Sequence, residues 1–439
     1  MPETAERTGS DPGRWSWVER AVWTDRMLQA LEEGVKGGAW YVLMDKVCAP
    51  QNLAAGFAKV AKSRGSAGAD HITIGQYRSG LDDNLGYLSK QLREGSYRCD
   101  ALRRVEIPKP GSSEKRTLSI PTVRDRIVQA SVTQVLEPIF ERDFSEHSYG
   151  FRPGRGCKDA LRQVEQWLRS GELWVVDADI RRYFDTIPHD RLRGLLREKV
   201  TDGSVLGLVD QFLKAGVLEG LSQWTPRGTP QGAVISPLLS NIYLNPLDHQ
   251  MARAGHHMVR YADDFVILCR TSSEAEQALA RVSAWMNEAG LALHPDKTRI
   301  VNMANGEGFD FLGYHFELSR KTPGKLNKWP REKSRQALRD TVRAKTRRTS
   351  GISLEQIIAS LNRTLIGWFA YFKHSHPRAL VEADGFVRRR LRSILLRRAG
   401  KRRHGDGLAN QRWTNAYFED AGLFSMALEH RAIVAALKG

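Results

Sequence analysis

Residues 257–268 read His-Met-Val-Arg-Tyr-Ala-Asp-Asp-Phe-Val-Ile-Leu. Two adjacent carboxylates, Asp263 and Asp264, lie between a short apolar run and a longer one. The pattern predicts two strands joined by a tight turn, with both acids at the tip and their flanks buried in a sheet. Each carboxylate disfavours ionisation of the other, a cost that a divalent cation removes. Hard oxygen ligands suit magnesium, which binds through one or two carboxylates plus substrate phosphates. The dipeptide alone decides little: Asp82-Asp83 is a second such pair, in a polar segment, and reads as solvated surface.

A separate strand supplies a further acid. Residues 173–180, Leu-Trp-Val-Val-Asp-Ala-Asp-Ile, are dominated by β-branched and aromatic residues and read as a buried strand. Alternation puts Asp177 and Asp179 on one face and Trp174, Val176, Ala178 and Ile180 on the other. Such an arrangement can hold two metal ions, one activating an attacking 3′-hydroxyl and one stabilising a leaving pyrophosphate.

These motifs resemble those of reverse transcriptases encoded by bacterial group II introns, which also act as splicing maturases. The resemblance runs from about residue 46 to at least Phe418, with the motifs in the family's order and spacing. It implies an α+β fold: a right-hand polymerase, with fingers and palm built on antiparallel sheet, followed by a helical thumb and maturase domain. Tyr261-Ala-Asp-Asp264 looks like the family's active-site hairpin and Asp179-Ile-Arg-Arg-Tyr-Phe-Asp185 like its first catalytic motif. Asp179, Asp263 and Asp264 are thereby expected to bind two magnesium ions, with manganese as a substitute. Asp177 and Asp185 are supporting candidates, Asp185 as a cap or a partner of a neighbouring arginine. Phe184, five residues after Asp179, falls where the family places its sugar gate. A large ring under the sugar leaves no room for a 2′-hydroxyl and so selects deoxynucleotides; a plain core aromatic is the alternative.

Residues 228–245 resemble the motif that holds the incoming nucleotide and template. Gly228, Pro230 and Gly232 allow close backbone approach to a ligand, and Gln231 is the polar contact. Leu238, Leu239, Ile242 and Tyr243 at helical spacing are packing residues. Ile107 to Pro121 looks like a fingers hairpin on which Lys109 and Arg116 occupy the triphosphate-clamp positions, with Lys115 an alternative to Arg116. Segments 122–129 and 148–154 match template-facing fingers and palm, with Arg152 and Arg155 expected on backbone phosphates. Leu293-His-Pro-Asp-Lys-Thr298 resembles the motif whose lysine nears the pyrophosphate, here Lys297; His294 before a proline reads as a turn residue. Phe309 to Tyr314 looks like the primer grip, with Gly313 permitting close backbone approach.

Composition agrees with a polyanionic partner. The 439 residues carry 67 Lys+Arg against 50 Asp+Glu, a formal net charge of +17. Length suggests about two to three packed units. The expected division is an extension over 1–45, fingers over 46–170, palm over 171–316, helical thumb and maturase domain over 317–400, and a basic segment over 401–439 that is a candidate for DNA binding. Trp17, Ala21 and Leu28 fall at helical spacing in the extension, as a docking face or as core. Residues 319–330 read as a basic, loop-like connector. In the helical domain Trp368, Tyr371 and Phe372 form a packing stripe, and Arg363, Lys373, Arg388 and Arg389 are the RNA-binding candidates.

No stretch resembles a transmembrane span or signal peptide, so a cytoplasmic protein is expected. Cys48, Cys99, Cys157 and Cys269 include no Cys-x-x-Cys pair, which argues against zinc or a disulfide framework. The metal-dependent nuclease that many relatives append is not expected. The function implied is RNA-directed DNA synthesis from deoxynucleoside triphosphates, on a DNA primer or target and an RNA template, with intron RNA bound for splicing and mobility. A maturase acting only through RNA binding is the first rival, and recruitment of the polymerase to host defence or repair the second. Phe184 disfavours RNA synthesis.

Overall fold

The computed structural model describes residues 14–35, 37–108, 115–215, 227–401 and 407–436. Internal contacts divide the chain into two units, the first ending at Ile300 and the second beginning at Val301. The expected α+β class is what forms: antiparallel sheets, then a helical C-terminal region.

In the first unit β1 (Arg103–Pro108) pairs antiparallel with β2 (Lys115–Ile120), the hairpin expected from the sequence. A four-stranded sheet follows, built of β3 (Trp174–Asp179), β4 (His257–Tyr261), β5 (Asp264–Cys269) and β6 (Arg299–Asn302) in the order β4-β5-β3-β6. Alternation decides which face is covered. Val176 and Ala178 of β3 and Phe265 and Ile267 of β5 join a buried cluster with Leu239, Tyr243 and Leu247 of the helix Ser236–Arg253 and Val282 and Met286 of the helix Ser272–Glu288. Each buried Val, Leu, Ile, Phe or Met side chain among them contributes about 1.5–3 kcal/mol by leaving water. Asp177 and Asp179 are left on the opposite face, their side chains 18% and 33% exposed. Asp82 and Asp83 are exposed in the first turn of the helix Leu81–Arg93, where negative charge suits the helix dipole.

The N-terminal segment departs from its predicted helical face. Residues 14–23 form turns, and the helix begins only at Asp25–Glu33, capped by Thr24. Ala21 is exposed; Trp15, Val18, Val22 and Trp23 are the buried residues, and the Trp23 indole donates to Gln134 O at 3.0 Å. Irregular turns bury residues at irregular spacing, so the helical periodicity misled. The segment is part of the first unit's core.

The second unit opens with the antiparallel sheet β7 (Gly308–Phe311), β8 (Tyr314–Leu318) and β9 (Leu326–Pro330). Strand β9 corrects the reading of 319–330 as connector throughout. Leu326 to Pro330 pair with β8, and the Trp329 indole donates to the Glu317 carboxylate at 2.8 Å. Helices Glu332–Lys345, Leu354–Phe372 and Pro377–Arg398 pack around Val342, Ile357, Leu361, Leu365, Val387 and Leu391. A capping box between Ser353 and Gln356 starts the middle helix. No helix among the described residues is long and apolar enough to cross a membrane.

Candidate active site

Tyr261 pairs with Asp264, so β4 and β5 are joined by two residues, Ala262 and Asp263. Ala262 adopts a φ of 60°, a left-handed value that a non-glycine residue holds only under constraint. The surroundings of Arg260 and Gly150 supply the constraint. The Arg260 guanidinium, fully buried, donates to Ala262 O at 2.9 Å and to Asn241 Oδ1 at 3.0 Å. It also grips both Asp248 oxygens, at 2.7 and 2.5 Å. Burial works against its charge, but the adjoining Asp248 carboxylate more than compensates and the pKa rises. From outside, residues 147–150 dock on β4, with Tyr149 N donating to Arg260 O at 2.8 Å and Arg260 N to His147 O at 2.9 Å. A Cβ on Gly150 would lie 2.3 Å from Ala262 N, so only glycine fits there. Arg260, Asp248, Asn241 and Gly150 were not singled out from the sequence. A charged residue inside an apolar strand was the available signal.

Asp179, the last residue of β3, is the cross-strand partner of Asp264, the first of β5. Directly opposed residues point to the same face, so Asp179 and Asp264 share the sheet end where Asp263 forms the turn. Segment 292–294 is stitched beside them: Arg181 N donates to Ala292 O at 2.9 Å and His294 N to Asp179 O at 2.8 Å. His294 O then accepts from Lys297 N and Thr298 N, making His294 the turn residue it was read to be. That turn delivers the Lys297 ammonium to Asp179 Oδ2 at 2.5 Å. Asp177 pairs with Arg299 at 3.5 Å. Asp185 is exposed and forms no ion pair with Arg181 or Arg182 among the described residues, against the pairing considered for it. A hydrogen bond to the Cys157 thiol and then burial push the Tyr261 hydroxyl up to about 12, so it stays protonated beside these acids.

Phe184 lies in the short helix Tyr183–Thr186, half-buried, its ring 5.3 Å from that of Tyr183. The loop carrying Gln231 is bound to it: Thr229 N donates to Phe184 O at 2.6 Å and Gly228 N to Ile187 O at 2.8 Å. Gln231 O accepts from Ser119 N of β2 at 2.7 Å, so one loop links the β1–β2 hairpin to the helix Tyr183–Thr186. The glycine reading needs correcting. Added Cβ atoms on Gly228 and Gly232 would meet the carbonyl oxygens of Asp185 and Ser119 at 3.0 Å, so these glycines admit protein backbone. Lys109 lies outside the described residues. Arg116 stands opposite Ile107 in the β1–β2 register, and Lys115, its alternative, is held by Glu106 at 2.8 Å.

Residues 107–316 match the family described as reverse transcriptase (RNA-dependent DNA polymerase), and 335–413 match the group II intron, maturase-specific domain. Protein YkfC of Escherichia coli K12 is 32% identical over 338 residues, covering 67% of this chain and 88% of that one. The chain belongs to the group II intron reverse transcriptases. The group II intron-encoded protein LtrA of Lactococcus lactis is 40% identical over 168 residues, 38% of this chain and 28% of LtrA. An uncharacterized 91 kDa protein in the cob intron of Schizosaccharomyces pombe is 28% identical over 374 residues, 67% of this chain and 46% of that protein. The chain thus spans most of YkfC but under half of the other two.

As a member of this family the chain is an RNA-directed DNA polymerase with a maturase domain, and its family works with divalent metal ions and RNA. Its nucleic-acid candidates fare unevenly. Arg152 is a correction: its side chain is 2% exposed, pairs with Glu141 at 2.7 Å and donates to Ser145 O and Ser148 O. It holds the 141–152 corner and is not presented to a phosphate. In the segment 122–129, Asp125, Arg126 and Gln129 are likewise buried, so those residues face the protein. Arg155 is half-buried and donates to Glu146 O at 2.6 Å. In the second unit Gly313, with φ of 83°, follows Leu312 in the two-residue β7–β8 turn. Its carbonyl accepts from Arg331 N at 2.9 Å, and the Tyr371 hydroxyl donates to Leu312 O at 2.7 Å. Tyr371 is therefore a brace as well as packing. Arg363 and Arg389 are exposed, Lys373 is half-buried at its helix end, and Arg388 lies 4.0 Å from Asp384.

Proposed function

We propose that this reverse transcriptase adds deoxynucleotides to a primer on an RNA template at a site formed by Asp179, Asp263 and Asp264, using two magnesium ions, and that it binds its intron RNA for splicing and retrohoming. The observation that carries the reading is the register of Asp179 against Asp264, one residue from Asp263. Among the described residues no three His, Cys, Asp or Glu side chains already surround one point. Magnesium does not require that: one or two carboxylates suffice when substrate phosphates complete the shell. The donor set is all hard oxygen, and the Lys297 ammonium at Asp179 marks where positive charge is favoured. Asp179, Asp263 and Asp264 would therefore hold the ions.

Bound there, the ions supply charge neutralisation and a more acidic primer hydroxyl. The chain's own residues do the rest. Arg260 fixes the turn that aims Asp263. Lys297, paired with Asp179 at 2.5 Å, carries the positive charge that would lie near the departing pyrophosphate. Phe184 limits the space below the sugar, Gln231 faces the nucleotide from the loop bound to Phe184, and Lys109 and Arg116 clamp the triphosphate. Rate enhancement then rests on positioning and charge stabilisation. The domain division proposed is fingers over 46–170, palm over 171–316 and an RNA-binding thumb and maturase domain beyond.

Primer extension on an RNA template with magnesium, wild type against Asp263→Ala, tests this. Extension by wild type alone, with RNA binding retained in the variant, is the expected result. No extension by a wild-type protein that still binds RNA would leave only the maturase reading.

A further inference from the structure

A second basic feature lies on the far side of the sheet from the acids. The helices Ser236–Arg253 and Ser272–Glu288 pack on the face that buries Val176, Ala178, Phe265 and Ile267, and the helix His189–Arg197 packs on Ser236–Arg253, whereas Asp177 and Asp179 are on the opposite face of the sheet. Between these helices opens a cleft of about 510 Å³ lined by Arg191, Gln250, Arg253, Arg281, Trp285 and Glu288 among others. Three guanidinium groups face one carboxylate. Arg191 is held in place, its guanidinium 5.4 Å over the buried Trp285 ring and donating to Glu288 O at 3.0 Å. Its distance to the Glu288 carboxylate is 3.6 Å. Arg253 and Arg281 are exposed and form no ion pair among the described residues, although Arg253 Nε donates to His249 O at 3.3 Å.

Exposed arginines with carboxylate partners, such as Arg162 with Asp159 or Arg378 with Glu382, are common on this chain. Two without a carboxylate partner among the described residues, flanking a concavity with a third already oriented, are a different case. The positive field is felt locally: burial and then the Arg281 charge hold the nearby His256 imidazole below its usual pKa. Trp285 is too buried, and too fully covered by Arg191, to stack on a base. The cleft therefore offers charge and planar donors without a base-reading surface, which matches a phosphate backbone and not a nucleobase.

We propose that the Arg191–Arg253–Arg281 cleft binds the phosphodiester backbone of a nucleic acid outside the polymerising site, so that one strand is held while another is copied. The proposal does not depend on the metal reading. The test is the double variant Arg253→Gln/Arg281→Gln in the full chain, two exposed changes whose effect on folding is checked by melting temperature. Binding is measured by fluorescence anisotropy over a salt series for a long single-stranded RNA and a DNA duplex of the same length. Extension of a short primer–template, which reaches only the acids, is measured alongside. Affinity for the long RNA, the long DNA or both should fall roughly tenfold or more. The magnitude of the log–log salt slope should drop by about 1.4–1.8, the two lost phosphate contacts, with short-template extension unchanged. Whichever polymer shows the loss is the occupant. Unchanged affinity and slope for both polymers would overturn the proposal, and so would an equal loss of short-template extension.

Discussion

Replacing Arg260 with methionine tests whether the buried ion pair positions the turn that carries Asp263. Wild-type Arg260 is 0% exposed and Asp248 is 4% exposed. The four hydrogen bonds at 2.5–3.0 Å tie Arg260 to Asp248, Asn241 and Ala262 O. Arg260→Met leaves the Asp248 carboxylate buried without its cation, which costs about 3–5 kcal/mol. The companion variant Arg260→Met/Asp248→Leu removes both charges, and such hydrophobic replacements of buried pairs are close to neutral, within roughly 1–2 kcal/mol. Stability alone would then be restored. The Ala262 carbonyl would still lack its donor, so the turn holding Asp263 at a left-handed neighbour would be looser. Urea denaturation should show a large loss for the single variant and recovery in the double. Primer extension, run where both are folded, should stay well below wild type in both. Full activity in the double variant would refute the positioning role, and a single variant as stable as wild type would refute the energetic argument.

Gly150→Ala should destabilise by about 1–3 kcal/mol, since the new methyl has to displace Ala262 backbone; a thermal melt equal to wild type would contradict the close packing. Phe184→Ala should raise ribonucleotide incorporation relative to deoxynucleotide roughly tenfold or more, read by primer extension with each set of substrates; unchanged discrimination would make Phe184 a core aromatic only. Burial pushes the Glu137 carboxyl up to about 7, with Lys59 pulling it down and Glu141 pushing it further up. Its pKa is raised on folding, so the stability it allows is complete below about pH 4.5 and is lost as pH rises through 7. Glu137→Gln should therefore gain up to roughly 3 kcal/mol over wild type at pH 8 and little at pH 4.5, measured by denaturation at both values.

Much of the site was legible because short-range chemistry carries it. Alternation in 173–180 assigns the faces of Asp177 and Asp179, and a β-turn flanked by apolar runs brings Asp263 and Asp264 to a strand junction. Both follow from backbone period and steric preference, which need no knowledge of the rest of the chain. Leu238, Leu239, Ile242 and Tyr243 were equally readable and are buried. The family motifs added Phe184, Gln231 and Lys297, and the last pairs with Asp179 at 2.5 Å.

Long-range partners settled the remainder. Whether an arginine meets water or the interior depends on a carboxylate elsewhere: Glu141 draws Arg152 inward, and Asp248 draws Arg260. Arg260 carries a local signal, a charge inside an apolar strand, but no local pattern distinguishes Arg152 from Arg155. Strand β9 exists because β8 offers it an edge, and the turns of residues 14–23 exist because the core they pack on rewards burial at irregular spacing. The sequence by itself determined the acids, their faces and the family, since these rest on backbone geometry and ordered motifs. Only the tertiary structure decided which charges are paired inside the protein and which remain at the surface, because pairing energy depends on three-dimensional neighbours and burial.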